Sequence, residues 1–354
     1  MGVDFSILDM ISVELTKAET VAEDQLLNVP LAGFYGYGSQ WQNAGTLTSD
    51  VFELSVNASV LNTRDMSLSL GFNYDTYDQQ ITEFNLPAYI TSIGQNVFYM
   101  KNNTQYGAFW GTVWATSTSE LPAGAPTSEF QVNDDGYLVW VGEGNTWKDG
   151  IDKKLWGTST TIDGRTYGWG RPIQYVDETG NALHQMGTSV PDFSYAFNAN
   201  FRFKGLSVFA MFDGQSGGEI YNHTRQWAAR DDGSDDVDQY GKSPETQKPT
   251  VYYRDMYHVN APNSFYVEDG SYLKLRELAV KYDLASLIDL RGVGINGLKL
   301  GVVGRNLITW TDYRGYDPEV GGSGGQLGSA VNARVDSYGY PNYRTFSFTL
   351  DLDF

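Results

Sequence analysis

The chain has no cysteine, only three histidines and few positive charges. Without cysteine it can form no disulfide, no thiolate metal site and no cysteine nucleophile. The 24 Lys and Arg against 43 Asp and Glu leave a net charge of −19, whereas a nucleic-acid binder needs a basic face. No G-x-S-x-G motif marks a serine nucleophile, and nothing singles out a carboxylate pair among the acids. We therefore expect no enzyme activity, no catalytic residue, no metal site and no cofactor.

Long apolar runs are missing as well. No stretch of about 18 apolar residues is present, which excludes a transmembrane helix. Residues 1–10 lack the basic and apolar regions of a secretory signal, so none is expected. Taken alone, these two features favour a soluble cytoplasmic protein. The 354 residues are nevertheless 14% aromatic, with 24 Tyr and 39 Gly, a composition that favours strands and turns over helices.

The strongest pattern is an alternation of apolar and polar residues with a period of two, which is typical of strands. It is strictest at the chain end, where the apolar positions are Phe346, Phe348, Leu350, Leu352 and Phe354. The pattern predicts nine strands, at residues 2–8, 11–20, 46–60, 66–78, 191–204, 206–216, 271–283, 298–311 and 340–354. Within 271–283 the parity changes between Leu275 and Leu278, and a β-bulge near Glu277 would explain that change.

The predicted connections alternate between short and long. The short ones are 9–10, 61–65, 205 and 284–297, and the long ones are 21–45, 79–190, 217–270 and 312–339. Outer-membrane barrels have short periplasmic turns on one rim and long loops on the other. The connection 79–190 should contain short strands of its own, because a structureless loop of about 110 residues is improbable.

The predicted strands are longer than the roughly 5–6 residues usual in soluble sheets. A bilayer admits only helices and closed barrels, and these strands can span it. We therefore predict an all-β fold, an antiparallel transmembrane β-barrel segment of nine long strands. The alternative is a soluble, secreted, acidic carbohydrate-binding β-sandwich. In that case the apolar side chains of the last strand would pack against a second layer, whereas in a membrane barrel they would form a bare belt.

Several segments resemble the SusC/RagA-type TonB-dependent outer-membrane proteins. Residues 269–282 (DGSYLKLRELAVKY) are similar to that family's "GSYLRLRNVTLGY", and residues 304–320 (GRNLITWTDYRGYDPEV) resemble its "GQNLFTFTKYKGYDPEV". Residues 187–197 (GTSVPDFSYAF), 40–45 (QWQNAG) and 53–57 (ELSVN) match further family patterns in the same order. The final aromatic strand resembles the family's barrel-closing C-terminal signal.

The resemblance implies that residues 1–354 are the C-terminal part of a barrel of roughly 22 strands, without the plug domain, TonB box and signal peptide. It implies a TonB-dependent receptor in the outer membrane of a Gram-negative cell, which takes up a polar nutrient such as an oligosaccharide or peptide. The implied partners are a SusD-like surface lipoprotein, TonB–ExbB–ExbD in the full-length protein, and outer-membrane lipid. A self-contained small porin remains a third possibility.

The aromatic connection 79–190 supplies the candidate ligand-binding residues, because aromatic faces can stack on sugars. These candidates are Trp110, Trp114, Trp140, Trp147 and Trp169. The alternative is that they pack the loop or belong to the interfacial girdle. Two polar segments could bind ligands but are better interpreted as a solvated loop and a plain turn. The first is the acidic run Asp231, Asp232, Asp235, Asp236 and Asp238, which lacks the spacing of a calcium loop, and the second is residues 177–181.

Overall fold

A computed structural model describes residues 1–90, 97–150, 153–230, 233–256, 262–288, 292, 294–320 and 334–353. Its main feature is one antiparallel sheet with nine long strands in chain order, each hydrogen-bonded to its neighbours in the chain. A short tenth strand, Thr104–Gln105, pairs with the fourth long one. The long strands are β1 (Gly2–Ile7), β2 (Ile11–Ala22), β3 (Thr46–Asn62), β4 (Met66–Glu83), β5 (Phe193–Phe203), β6 (Leu206–Ser216), β7 (Tyr272–Asp283), β8 (Gly297–Thr311) and β9 (Thr345–Asp353).

All nine strands predicted from the alternation are confirmed, and so is the pattern of short and long connections. Strand β9 begins at Thr345 rather than at residue 340. Pro341 has no N–H to donate to a sheet, and Asn342 instead donates to the Asp317 and Glu319 carboxylates of the preceding loop. Phe354, predicted as the last apolar position, lies outside the described residues.

The predicted bulge is also confirmed. The register of β7 shifts between Leu275 and Glu277 against β8, and between Met211 and Phe212 against β6. Arg276 is therefore the extra residue of β7. Its guanidinium reaches Asp213 of β6 at 2.6 Å and Glu319 of the long loop after β8. The bulge thus directs a cation to the polar face of the sheet.

One face of the sheet is a continuous apolar surface. A single row in register runs through Phe5, Val13, Val56, Phe72, Phe197, Phe212, Leu275 and Ile308. On β9 the four described apolar side chains, Phe346, Phe348, Leu350 and Leu352, are 44% to 81% exposed. This is the bare belt expected of a membrane barrel, not the packed face of a sandwich.

Most of the buried apolar core lies in the long connections rather than on the sheet. One cluster includes Phe98, Phe109, Tyr221 and Tyr266, and a second surrounds Leu138. A third brings Trp114 against Tyr252 and Met256. The described residues of the long connections 21–45, 79–190, 217–270 and 312–339 therefore pack together at one end of the sheet, and we call them the loop unit.

Short elements build this loop unit, as predicted for 79–190. The described helices are α1 (His223–Arg230) and α2 (Thr250–Met256). The short strands are Leu26–Pro30, Ser39–Asn43, Tyr89–Ile90, Tyr99–Met100, Ala108–Gly111, Phe130–Val132, Leu138–Trp140, Ser159–Ile162, Arg165–Gly168, His184–Thr188, Glu219–Asn222, Val267–Asp269 and Val335–Asp336.

Over the ranges that the structure describes, no helix has the length and apolar character needed to cross a membrane.

Candidate ligand-binding site

A cavity of about 550 Å³ opens between the hairpin Ser159–Ile162/Arg165–Gly168 and helix α2. We call it the aromatic pocket and define it by Trp114, Trp156, Arg165, Tyr167, Arg171 and Asp255. Its volume falls in the range of small-molecule sites, about 300–1,000 Å³. Aromatic rings and polar groups share its lining, as in sites that bind a ligand with both apolar faces and hydrogen-bonding edges.

Glycines hold Trp156 in the wall of the pocket. A Cβ on Gly170 would stand 2.8 Å from the Trp156 ring, and one on Gly150 would stand 2.6 Å from its Nε1. The ring meets Trp169 edge to face, with centroids 4.9 Å apart and planes at 86°. Glycine at positions 150 and 170 therefore leaves room for the Trp156 ring, and a larger residue at either position would displace it.

Trp114 is fixed from a distant part of the chain. Its indole Nε1 donates to Asn263 Oδ1 at 3.2 Å, and its backbone N donates to Ser264 Oγ at 3.2 Å. Asn263 in turn donates from Nδ2 to the Met256 carbonyl at 2.8 Å, at the end of α2. These bonds lock the floor of the pocket to the helix that forms its opposite side.

The charged groups of the pocket do not cancel. Arg171 makes a two-pronged ion pair with Asp255, whose hydrogen bonds raise the pKa of the guanidinium. Arg165 donates only from Nη2 to the Gln174 carbonyl at 3.0 Å, and no described carboxylate pairs with it. The pocket therefore offers the guanidinium of Arg165 to a ligand.

The structure separates the five predicted tryptophans. Trp114 lines the aromatic pocket, whereas Trp169 is 1% exposed and donates to the Val141 carbonyl at 2.9 Å. Trp140 donates from Nε1 to Glu129 Oε2 at 2.9 Å and packs against the cluster around Leu138. These two rings pack the loop unit, as in the alternative given above.

Trp110 and Trp147 lie away from the pocket lining. Trp110 stacks with Lys101, whose Nζ is 4.6 Å from a ring centroid, and Trp147 is half-buried beside Lys148. The sequence analysis did not single out Trp156. The glycines at 150 and 170 that accommodate it are the only signal in the sequence, and they become meaningful once the fold is known.

The interpretation of the acidic run as solvated is wrong for Asp236. Arg225 donates to its carboxylate from Nε at 2.6 Å, and Arg314 from Nη1 at 2.9 Å. Burial acts to raise the pKa of Asp236, but the hydrogen bonds and charge of Arg225 outweigh it and hold the pKa at about 2. Asp235 and Asp238 are exposed, and Asp231 and Asp232 lie outside the described residues.

Residues 177–181 form the plain turn that was expected. Asp177 Oδ1 accepts from the backbone N of Thr179 and of Asn181, each at 2.9 Å. Within the described ranges, no group of three or more His, Asp or Glu could hold a metal ion. The chemistry on offer is therefore binding by stacking, hydrogen bonds and charge.

Comparison with known proteins finds relatives over the whole chain. It is 26% identical over 372 residues to TonB-dependent receptor P3 of Formosa agariphila, covering 100% of this chain and 33% of that protein. It is 22% identical over 374 residues to receptor P39 of the same organism, covering 100% of this chain and 35% of that protein. The chain thus spans about a third of the length of these curated relatives. No family model matches it.

Solved structures agree on the fold. The RagAB peptide importer in its closed-closed state matches with a TM-score of 0.62 at 20% identity, over 99% of this chain and 34% of that one. Another structure of the RagAB peptide transporter matches with a TM-score of 0.62 at 19% identity, over 97% of this chain and 33% of that one. The predicted resemblance to TonB-dependent receptors and the predicted barrel-segment fold are confirmed.

Proposed function

We propose that this chain forms part of the membrane wall and outer loops of a TonB-dependent outer-membrane transporter for a polar nutrient. The bare apolar face of the sheet carries the proposal. A face of this size exposed to water would drive aggregation, whereas lipid would cover it without cost. The similarity of the whole of this chain to about a third of each TonB-dependent receptor supports the same conclusion.

We further propose that residues 1–354 are the C-terminal part of the barrel, and that a plug and a TonB-coupling segment belong to the rest of the transporter. The relatives are about three times longer than this chain, which agrees with that division. A SusD-like lipoprotein would then cap the long-loop rim, and TonB–ExbB–ExbD would supply energy from the opposite side. The chain's own contribution is the lumen wall and the ligand-facing loops.

An oligosaccharide is the cargo that the aromatic pocket supports best. Aromatic faces bury the apolar faces of sugar rings while their polar edges remain available for hydrogen bonds. The polar residues Thr158, Ser159 and Thr166 line the same cavity. A peptide is the second candidate, because the solved structures of similar fold are of a peptide importer.

Uptake by cells tests the proposal. A strain lacking the protein is complemented with wild type, Trp156→Ala, or Trp147→Ala as a matched control outside the pocket. We expect wild type and Trp147→Ala to restore uptake of a fluorescent oligosaccharide, and a protonophore to abolish that uptake. Trp156→Ala should reduce uptake roughly tenfold, if a sugar ring stacks about as strongly as a nucleic-acid base does on an aromatic side chain, which is worth about 1–3 kcal/mol. Recovery of the protein in the soluble fraction, or uptake that does not depend on it, would contradict the proposal.

A further inference from the structure

Arg165 stands out because the chain around it is so acidic. The net charge is −19, and in the loop unit Arg225 and Lys248 both pair with described carboxylates. Arg171, its neighbour in the pocket, is neutralised by Asp255. Arg165 has a backbone carbonyl as its partner and no described carboxylate. The aromatic pocket therefore carries one uncompensated positive charge.

The position of this charge matters as much as its sign. Arg165 lines the same cavity as Trp156 and Trp114, so a bound ring can stack on an indole while its substituent reaches the guanidinium. Guanidinium groups bind planar anions through two parallel hydrogen bonds. Ser159 lines the same cavity, and its hydroxyl suits a hydroxyl group of such a ring.

We infer that the aromatic pocket selects an anionic sugar residue, with Arg165 binding its carboxylate or sulfate and Trp156 stacking on its ring. This inference rests on the proposed function, because it names the substrate class of the same site. Arg165 is a specificity-determining residue here, and Arg171 with Asp255 keeps the pocket wall in place. A neutral sugar would leave the guanidinium of Arg165 without its anion.

The experiment uses the detergent-purified whole transporter that contains this chain, and an array of uronate-containing, sulfated and neutral oligosaccharides. An acidic tetrapeptide is a further probe. The tightest acidic glycan is then compared with its methyl-esterified or desulfated form by calorimetry. Variants are Arg165→Gln, Arg165→Lys, and Arg202→Gln as a control that removes the same charge from an exposed strand position.

We expect at least one acidic glycan to bind, and neutralising its anion to weaken binding roughly tenfold or more, as a charge-assisted hydrogen bond implies. Arg165→Gln should cause a similar loss, Arg165→Lys a smaller one, and Arg202→Gln none. Comparing the affinities of the uronate-containing and the sulfated oligosaccharides identifies which anion Arg165 binds.

The inference is overturned if no acidic glycan binds, if Arg165→Gln binds as tightly as wild type, or if the acidic peptide binds in preference to every glycan. Tight binding of a neutral glycan that depends on Trp156 but not on Arg165 would overturn the inference while leaving the proposed function intact. If the wild-type transporter binds none of the glycans and no peptide, and cells take up none of them, both the inference and the proposed function are contradicted.

Discussion

At the scale of single residues, Trp156 and Trp169 show how little the residue type reveals about its role. The two rings are in contact, edge to face. Trp169 is enclosed on all sides and hydrogen-bonded to a backbone carbonyl, whereas Trp156 is half-buried and lines the pocket. The first ring packs inside the loop unit, and the second borders the cavity.

Trp169→Ala should therefore destabilise the loop unit. Truncating a buried aromatic ring typically costs about 3–5 kcal/mol because a cavity remains. We expect limited proteolysis to cut residues 97–190 far faster in this variant, while the barrel wall stays resistant. Trp147→Ala is the control, since Trp147 is half-exposed. Equal cleavage rates in the two variants would argue against a supporting role for Trp169.

His223, the first residue of α1, is a buried histidine held in its neutral form. Its Nε2 accepts a hydrogen bond from Trp227 Nε1, and its Nδ1 lies 3.4 Å from Ser337 Oγ. Burial lowers its pKa from 6.5 to about 4, against the opposing charge of Asp336. Protonation would remove the acceptor that Trp227 uses.

Mild acid should therefore loosen α1. Between pH 6.5 and about 4 the unfolded segment binds a proton that the folded one does not, so stability falls as pH falls, by at most about 1.4 kcal/mol per pH unit. Hydrogen exchange of residues 223–230, corrected for intrinsic rates, should be faster at pH 5 than at pH 7. His223→Asn should lose this pH dependence and His184→Asn should keep it. A histidine NMR titration that places the His223 pKa near 6.5 would refute the explanation.

At the scale of elements, Glu319 fastens the loop after β8 to the wall. Its carboxylate accepts from Lys274 Nζ at 2.7 Å, from Arg276 Nη1 at 2.6 Å and from Tyr272 Oη at 3.3 Å, all on β7. Lys274 is almost fully buried, with a 2% exposed side chain. Burial acts to raise the pKa of Glu319, but its bonds to Arg276 and Lys274 lower it to about 2.

Glu319→Gln should release this loop. The variant keeps the shape but removes the charge that compensates Lys274 and Arg276, and losing charged hydrogen bonds costs about 1.5–3 kcal/mol. We expect hydrogen exchange in residues 312–320 to rise roughly tenfold or more. Asp312→Asn, an exposed change in the same segment, should have no effect. Because the pKa is near 2, acid should mimic the variant only well below pH 4.5; loosening already at pH 6 would contradict this account.

The sequence was sufficient to predict the wall strands and the bulge, because a period of two and a change of parity are local signals. It could not predict the aromatic pocket. Trp114 depends on Asn263, and Asn133 on Tyr252, across more than a hundred residues of chain. Such contacts produce no periodic pattern in the sequence. The tryptophan content therefore indicated the connection 79–190, which contains most of the pocket, but did not single out Trp156. The paired Asp236 was misinterpreted for the same reason, since Arg225 and Arg314 reach it only in the folded loops.

At the scale of the whole molecule, two environments divide the chain. The sheet exposes most of the apolar side chains on one of its faces, whereas clusters in the long connections bury theirs. A substitution should therefore have opposite effects on the two faces of one strand.

Phe348→Arg tests this division. On a lipid-facing position an arginine costs about 2–4 kcal/mol near the bilayer centre, whereas Ser347→Arg places the same charge on the opposite, polar face of β9. We expect Phe348→Arg to lower the folded, heat-modifiable fraction in lipid vesicles and to lower the urea concentration at half-unfolding, with Ser347→Arg close to wild type. Equal tolerance of both would mean that lipid does not cover this face.

The meander order of the sheet has a consequence for biogenesis. Every long strand pairs with its neighbours in the chain, so the ribbon can assemble hairpin by hairpin with little loop-closure entropy to overcome at each step. The aromatic pocket instead combines Trp114 and residues between Trp156 and Gln174, from the connection after β4, with Val251 and Asp255, from the connection after β6. These two connections can meet only when β4, β5, β6 and β7 already lie side by side. During folding the barrel wall, which prevents leakage, would thus form first, and the pocket that binds the cargo would form last.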